Sequence, residues 1–154
     1  MTIEDDIAFL ERIPALRLLG RDALRILAIG SENRTIHEGI SLFGEGEDAD
    51  GAYLVQEGSF ELVSEKSNVP ASVAGPGTLI GELALLTETK RPVTATAREP
   101  SSVVRIPRQL FLKMLEGYPD AARRMRDAIA GRVNQTAAEF TRVRGVLAGG
   151  PARK

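Results

Sequence analysis

Ten positions separate a glycine from an arginine in the segment Gly81-Glu82-Leu83-Ala84-Leu85-Leu86-Thr87-Glu88-Thr89-Lys90-Arg91. Glu-Leu-Ala-Leu-Leu after a glycine favours one helical turn. The start of such a turn offers backbone N–H groups that lack intrahelical partners, and an anion can take them. Gly81 allows a ligand to approach the backbone closely. A guanidinium reaching back from Arg91 would grip a phosphate through two parallel hydrogen bonds. Glu82 would accept hydrogen bonds from a neutral polyol while its charge suits the start of the turn. The same residues also read as a plain first-turn carboxylate, two core leucines (Leu83 and Leu85) and a solvated loop charge at Arg91. Spacing alone leaves both readings open.

Other chemistries find little material. The 154 residues contain no cysteine, which removes disulfides, thiolate metal sites and cysteine nucleophiles together. His37 is the single histidine, so a histidine metal cluster has no second ligand and no metal is expected. It reads as an exposed or satisfied side chain. Tryptophan is absent and aromatics make up 5%, too few for a single-strand stacking platform. Glu45, Glu47, Asp48 and Asp50 lie in a turn-rich loop whose spacing is not that of an EF-hand, and they read as a solvated acidic loop. Arg123, Arg124 and Arg126 read as the wet face of a helix, one of them within reach of a ligand or partner.

The elements that must position these residues fall into three stretches. Residues 3–30 keep helical spacing through Ile7, Leu10, Ile13 and Leu16, break near Pro14, and restart at Asp22. Residues 31–106 show about eight short strand-like runs punctuated by turns such as Phe43-Gly44-Glu45-Gly46 and Gly75-Pro76-Gly77, the rhythm of a sandwich or jelly roll. Residues 107–147 return to helical spacing, with Pro107 placed in a first turn. A long helix from about Asp120 follows, carrying Ile129, Val133, Thr136, Phe140, Val143 and Leu147 on a heptad seam. That seam predicts either a helix lying on the roll or a homodimer contact. The expected fold is therefore α+β, an antiparallel β jelly roll flanked by N-terminal helices and a long C-terminal helix, in a single domain over 1–154.

Charge is unevenly spread. Nine basic and seventeen acidic residues precede position 101, and eleven basic and four acidic residues follow it. The basic end could touch nucleic acid non-specifically. No stretch approaches the roughly 20 apolar residues needed to span a bilayer, and Met1 to Asp6 lack the pattern of a signal peptide, so a cytoplasmic location away from membranes is expected.

The run Gly81-Glu82-Leu83-Ala84-Leu85-Leu86 followed by Arg91 resembles the phosphate-binding cassette of cyclic nucleotide-binding domains. The surroundings agree in order: the helical lead-in, Phe43-Gly44-Glu45-Gly46-Glu47-Asp48, Ala52-Tyr53-Leu54-Val55-Gln56-Glu57-Gly58, the Gly75-Pro76-Gly77 turn and the closing helices. Tyr118-Pro119-Asp120 and the helix beyond resemble the members similar to the bacterial cAMP receptor protein. The resemblance implies that Glu82 accepts a bond from the ribose 2′-OH and that Arg91 pairs with the cyclic phosphate. It further implies that the N–H groups of Gly81, Leu83 and Ala84 line phosphate and ribose, and that Thr136 meets the purine from the long helix. For Thr136 a polar seam position bonding its own backbone is the other reading.

The sequence departs from the family where Lys90-Arg91-Pro92-Val93 replaces Pro-Arg and a small residue. Pro92 has neither N–H nor hydroxyl, so a phosphate contact is missing there. Lacking the threonine associated with cGMP, the position points to cAMP, with cGMP as the alternative. Ala137 cannot supply a second polar contact beside Thr136. The resemblance implies a regulatory module rather than an enzyme, signalling to an unknown protein effector as its C-terminal helix moves. Too few residues follow Leu147 for a helix-turn-helix unit, so a stand-alone receptor without specific DNA binding is expected. The alternative is a degenerate, ligand-free roll used for dimerisation or as a scaffold.

Overall fold

The computed structural model describes residues 2–128. Three helices open the chain: α1 (Ile3–Glu11), α2 (Pro14–Arg17) and α3 (Arg21–Gly30). Thr2 starts α1 with a reciprocal cap, its side chain accepting from the N–H of Asp5 while the Asp5 carboxylate accepts from the N–H of Thr2. Pro14 begins α2 rather than only breaking α1, because a missing N–H costs nothing at a first helical position. Glu4 and Glu11 bridge to Arg21 and Arg25 across the wet side of α1 and α3. Exposed pairs of this kind contribute about 0–1 kcal/mol each, so the packing of Ile7, Leu10, Leu24 and Leu27 beneath them matters more.

Ten strands follow among the described residues: β1 (Glu32–Ile36), β2 (Ser41–Phe43), β3 (Asp48–Ala49), β4 (Gly51–Glu57), β5 (Phe60–Val63), β6 (Ser72–Ala74), β7 (Leu79–Ile80), β8 (Thr89–Lys90), β9 (Thr94–Ala97) and β10 (Ser101–Pro107). They form antiparallel sheets in the orders β1-β10-β4-β7 and β2-β9-β5-β6, with a separate β3-β8 ladder. The first sheet divides two cores. Alternation along β4 and β10 sends Ala52, Leu54, Val104 and Ile106 to the helices, and Tyr53, Val55 and Val103 to the roll interior beside Phe43, Phe60 and Ala95. A Cβ on Gly51 would stand 2.3 Å from the carbonyl oxygen of Ile106, so the first residue of β4 must be glycine for β10 to lie this close.

The strand rhythm expected from the sequence is present, with the added β3-β8 ladder. Pro107 differs from expectation: it ends β10 in an extended conformation, and α4 (Arg108–Gly117) begins one residue later. Phe111 and Met114 bury the inner face of α4 in the helix-side core. Residues 119–128 are helical, and Ala121 and Met125 pack into the same core one turn apart. Arg124 on that helix donates to the carbonyls of Leu18 (2.6 Å) and Leu19 (3.1 Å), so it is not merely a wet-face charge. The seam from Ile129 to Leu147, Thr136 and the dimer contact expected of them lie outside the described residues.

Candidate functional site

The β3-β8 ladder sets the position of Arg91. Asp48 pairs with Lys90 and Ala49 with Thr89 in register. One residue on, the N–H of Arg91 donates to the carbonyl of Glu47 and the N–H of Gly46 donates to the carbonyl of Arg91, both at 2.8 Å. Lys90 points outward to an ion pair with Asp48, so alternation turns the next side chain inward.

Arg91 is only 4% exposed. Its guanidinium carbon lies 4.2 Å from the Phe43 ring centroid and 5.7 Å from that of Tyr53. Nη2 faces Oδ1 of Asp50 at 4.0 Å, beyond hydrogen-bond length. Nε and Nη1 are buried and have no hydrogen-bond partner. Burial pushes the Arg91 pKa below its ordinary value, and the nearby Arg105 adds to this, while Tyr53, Asp50 and Glu47 oppose it. A guanidinium still keeps its proton in such surroundings. The site therefore holds a buried cation with two donor nitrogens unspent, each costing about 1–3 kcal/mol while it stays unsatisfied.

Nη1 is aimed at Gly81, where a Cβ would stand 2.5 Å away. Gly81 takes the left-handed conformation (φ 83°, ψ 36°) and starts a 3₁₀ turn over Glu82–Leu85. Ala84 and Leu85 are buried and anchor the turn, whereas Leu83 is 59% exposed and is no core residue. Within the turn the N–H of Ala84 already donates to the carbonyl of Gly81 at 3.0 Å. Glu82 sits half-buried at its first position.

Two further arginines tie the turn to its surroundings. Arg108, the first residue of α4, donates through Nη1 to the carbonyls of Ala49 (2.8 Å), Ala84 (3.1 Å) and Thr87 (3.1 Å), and its N–H donates to the carbonyl of Asp50 at 2.7 Å. Arg105 on β10 bonds Oδ2 of Asp50 at 2.7 Å and lies 3.7 Å from Glu32. Burial works against the Arg105 charge, but Asp50 and Tyr53 together outweigh it and the pKa lies above the ordinary value.

Of the residues singled out in the sequence, Gly81 and Arg91 meet, and Glu82, Leu83 and Ala84 share their turn. Pro92 follows Arg91 on the exposed side. The acidic loop is not simply solvated: Glu45 accepts from Ser64 and from the N–H of Glu65, Asp48 pairs with Lys90, and Asp50 pairs with Arg105. Arg105 and Arg108 went unnoticed in the sequence. A signal existed for Arg108, since a cation is electrostatically unfavourable at a helix N-terminus and so has another reason to be there. His37 is exposed, and among the described residues no group of three or more His, Cys, Asp or Glu could hold a metal ion.

An antiparallel roll closed by helices around an inward-turned arginine is the build of the β-roll of cyclic nucleotide-binding domains. The family model of the cyclic nucleotide-binding domain matches residues 33–118, and the chain belongs to that family. A cyclic nucleotide-binding-like protein from Brucella abortus is 35% identical, with a TM-score of 0.65 over 73% of this chain and 98% of that one. The N-terminal domain of a transcriptional regulator from Streptomyces coelicolor A3(2) is 28% identical, with a TM-score of 0.76 over 85% and 94%. Lysophospholipase NTE1 of Chaetomium globosum is 33% identical over 102 residues, which are 64% of this chain; the match spans 7% of that protein's length. Among the described residues no helix is long and apolar enough to cross a membrane.

Proposed function

We propose that the chain is a regulatory module that binds cAMP, with cGMP as the alternative ligand, and reports occupancy to a protein effector through its C-terminal helix. The single observation that carries this reading is the buried Arg91, whose Nε and Nη1 have no partner and whose Nη1 lies against Gly81. A cyclic phosphate carries one negative charge and presents two oxygens that can satisfy both donors. Glu82 accepts from the ribose 2′-OH, and the N–H groups of Gly81 and Leu83 line phosphate and ribose. Ala84 contributes only by exchanging its bond to Gly81 for one to the ligand. Pro92 contributes no donor, and Thr136 meets the purine.

Signalling follows from unequal affinity. Ligand that draws Arg91 and the 82–85 turn together shifts the population towards states whose C-terminal helix closes over the base. The role is regulatory rather than catalytic in this reading. Thermal denaturation with cAMP and with cGMP at millimolar concentration tests it. Ligand at 100 times its dissociation constant stabilises by about 2.7 kcal/mol, a plain rise in midpoint. No rise with either nucleotide overturns the reading and favours a ligand-free roll serving as a scaffold.

A further inference from the structure

Arg91 and Arg105 share one carboxylate. Oδ2 of Asp50 bonds Nη2 of Arg105 at 2.7 Å, while Oδ1 stops 4.0 Å from Nη2 of Arg91. The shortfall needs a reason, because a buried guanidinium with unspent donors attracts any carboxylate within reach. The Asp50 side chain is 64% exposed, so packing does not hold it in place. Its backbone is fixed, the carbonyl accepting from the N–H of Arg108 at 2.7 Å. The other oxygen of the same carboxylate is taken by Arg105 at 2.7 Å.

Strand register places Arg105 for this task. It lies opposite Tyr53 on β4 and Glu32 on β1. Alternation along β10 puts it on the face of Val103, which lines the roll interior, so a cation here interrupts an otherwise apolar face. Its side chain is only 16% exposed, and it faces two carboxylates, Asp50 and, at 3.7 Å, Glu32. Arg105 thereby makes the closer pair with Asp50, at 2.7 Å against 4.0 Å for Arg91.

We infer that Arg105 is a positioning residue for the anion site: by holding Asp50 it keeps that carboxylate from closing onto Arg91 and leaves Arg91 open for a ligand phosphate. The inference rests on the cyclic nucleotide reading above. Two effects act in the same direction. An Asp50 released from Arg105 competes with the phosphate for Arg91, and its uncompensated charge repels the phosphate.

Calorimetric titration with cAMP of wild type, R105M, D50N and the double variant reads this out. R105M is expected to bind about tenfold more weakly, the scale of one charge-assisted contact. D50N in the R105M background is expected to restore affinity to within about twofold of D50N alone, because the competitor has gone. R105K, which keeps the charge with poorer geometry, is expected to fall between wild type and R105M and guards against a folding defect in the latter. Wild-type affinity in R105M, or a double variant as weak as R105M, overturns the inference. A ligand-free measurement separates its failure from that of the cyclic nucleotide reading. The D50N/R91M double-mutant cycle in chemical denaturation is expected to show at least a threefold larger coupling, as a ratio of equilibrium constants, when Arg105 is replaced by Met. Equal coupling in the two backgrounds overturns the role of Arg105, whatever the nucleotides do.

Discussion

The Nη1 atom of Arg91 occupies the space that a side chain on Gly81 would need: a Cβ built there stands 2.5 Å from it. The glycine is thus required twice, once by its positive φ and once by the arginine. G81A should lose stability by about 1–3 kcal/mol, from strained backbone and from displacing Arg91. It should also lose nucleotide binding by more than the stability loss explains. Denaturation and calorimetry on one preparation check both, and a variant of wild-type affinity would speak against the close approach.

Arg91 carries a cost in the ligand-free protein. Removing a buried charge with unspent donors relieves that cost, while losing the contact with the Phe43 ring forfeits about 0.5–2 kcal/mol. R91M should therefore be as stable as wild type to within about 1 kcal/mol without ligand, and should gain nothing when cyclic nucleotide is added. A loss above about 3 kcal/mol would mark Arg91 as a fully paired structural cation instead.

Arg108 ties the 3₁₀ turn, β3 and the start of α4 through one nitrogen. R108M leaves three carbonyls to find other partners and should cost about 1–3 kcal/mol. Because two of those carbonyls, Ala84 and Thr87, belong to the turn region, nucleotide affinity should fall as well. Urea denaturation with and without cAMP separates the two losses. An affinity unchanged alongside lowered stability would confine Arg108 to the fold.

Glu45 gives a pH signature. The N–H of Glu65, then Ser64, hold its carboxyl below the ordinary glutamate value. A depressed carboxylate contributes in full above its unfolded pKa, and the contribution is lost as pH falls through the lowered folded value. The 64–66 segment should therefore keep its place on Glu45 at neutral pH and loosen below the usual carboxylate range. Side-chain NMR titration of Glu45 and amide protection at Glu65 follow it, and E45Q should remove the pH dependence. A midpoint at the ordinary glutamate value would contradict the depressed carboxyl.

Much of this was legible in the sequence, for physical reasons that can be named. The strands of the roll announced themselves because Gly-rich turns and β-branched or aromatic runs act locally, and the Gly81-Glu82 start of the turn did so too. The β3-β8 ladder was not legible. Asp48–Ala49 and Thr89–Lys90 are two-residue runs in which only Thr89 favours a strand, and only the surrounding roll brings residues 40 to 42 positions apart into register. That missing ladder is why Arg91 could equally be read as a solvated loop charge, when in the fold it is turned inward. The pairing of Asp50 with Arg105 escaped for the same reason, since it depends on sheet register between β10 and the chain entering β4. Thr136 and the heptad seam lie outside the described residues.

The role assigned to Arg91 is tested most directly by calorimetric titration of wild type and R91M with cAMP under identical conditions. Saturable one-site heat in wild type and none in R91M is the expected pair of results. Heat of the same affinity in both proteins would contradict a phosphate held by that guanidinium, and silence in wild type with both cAMP and cGMP would contradict ligand binding altogether.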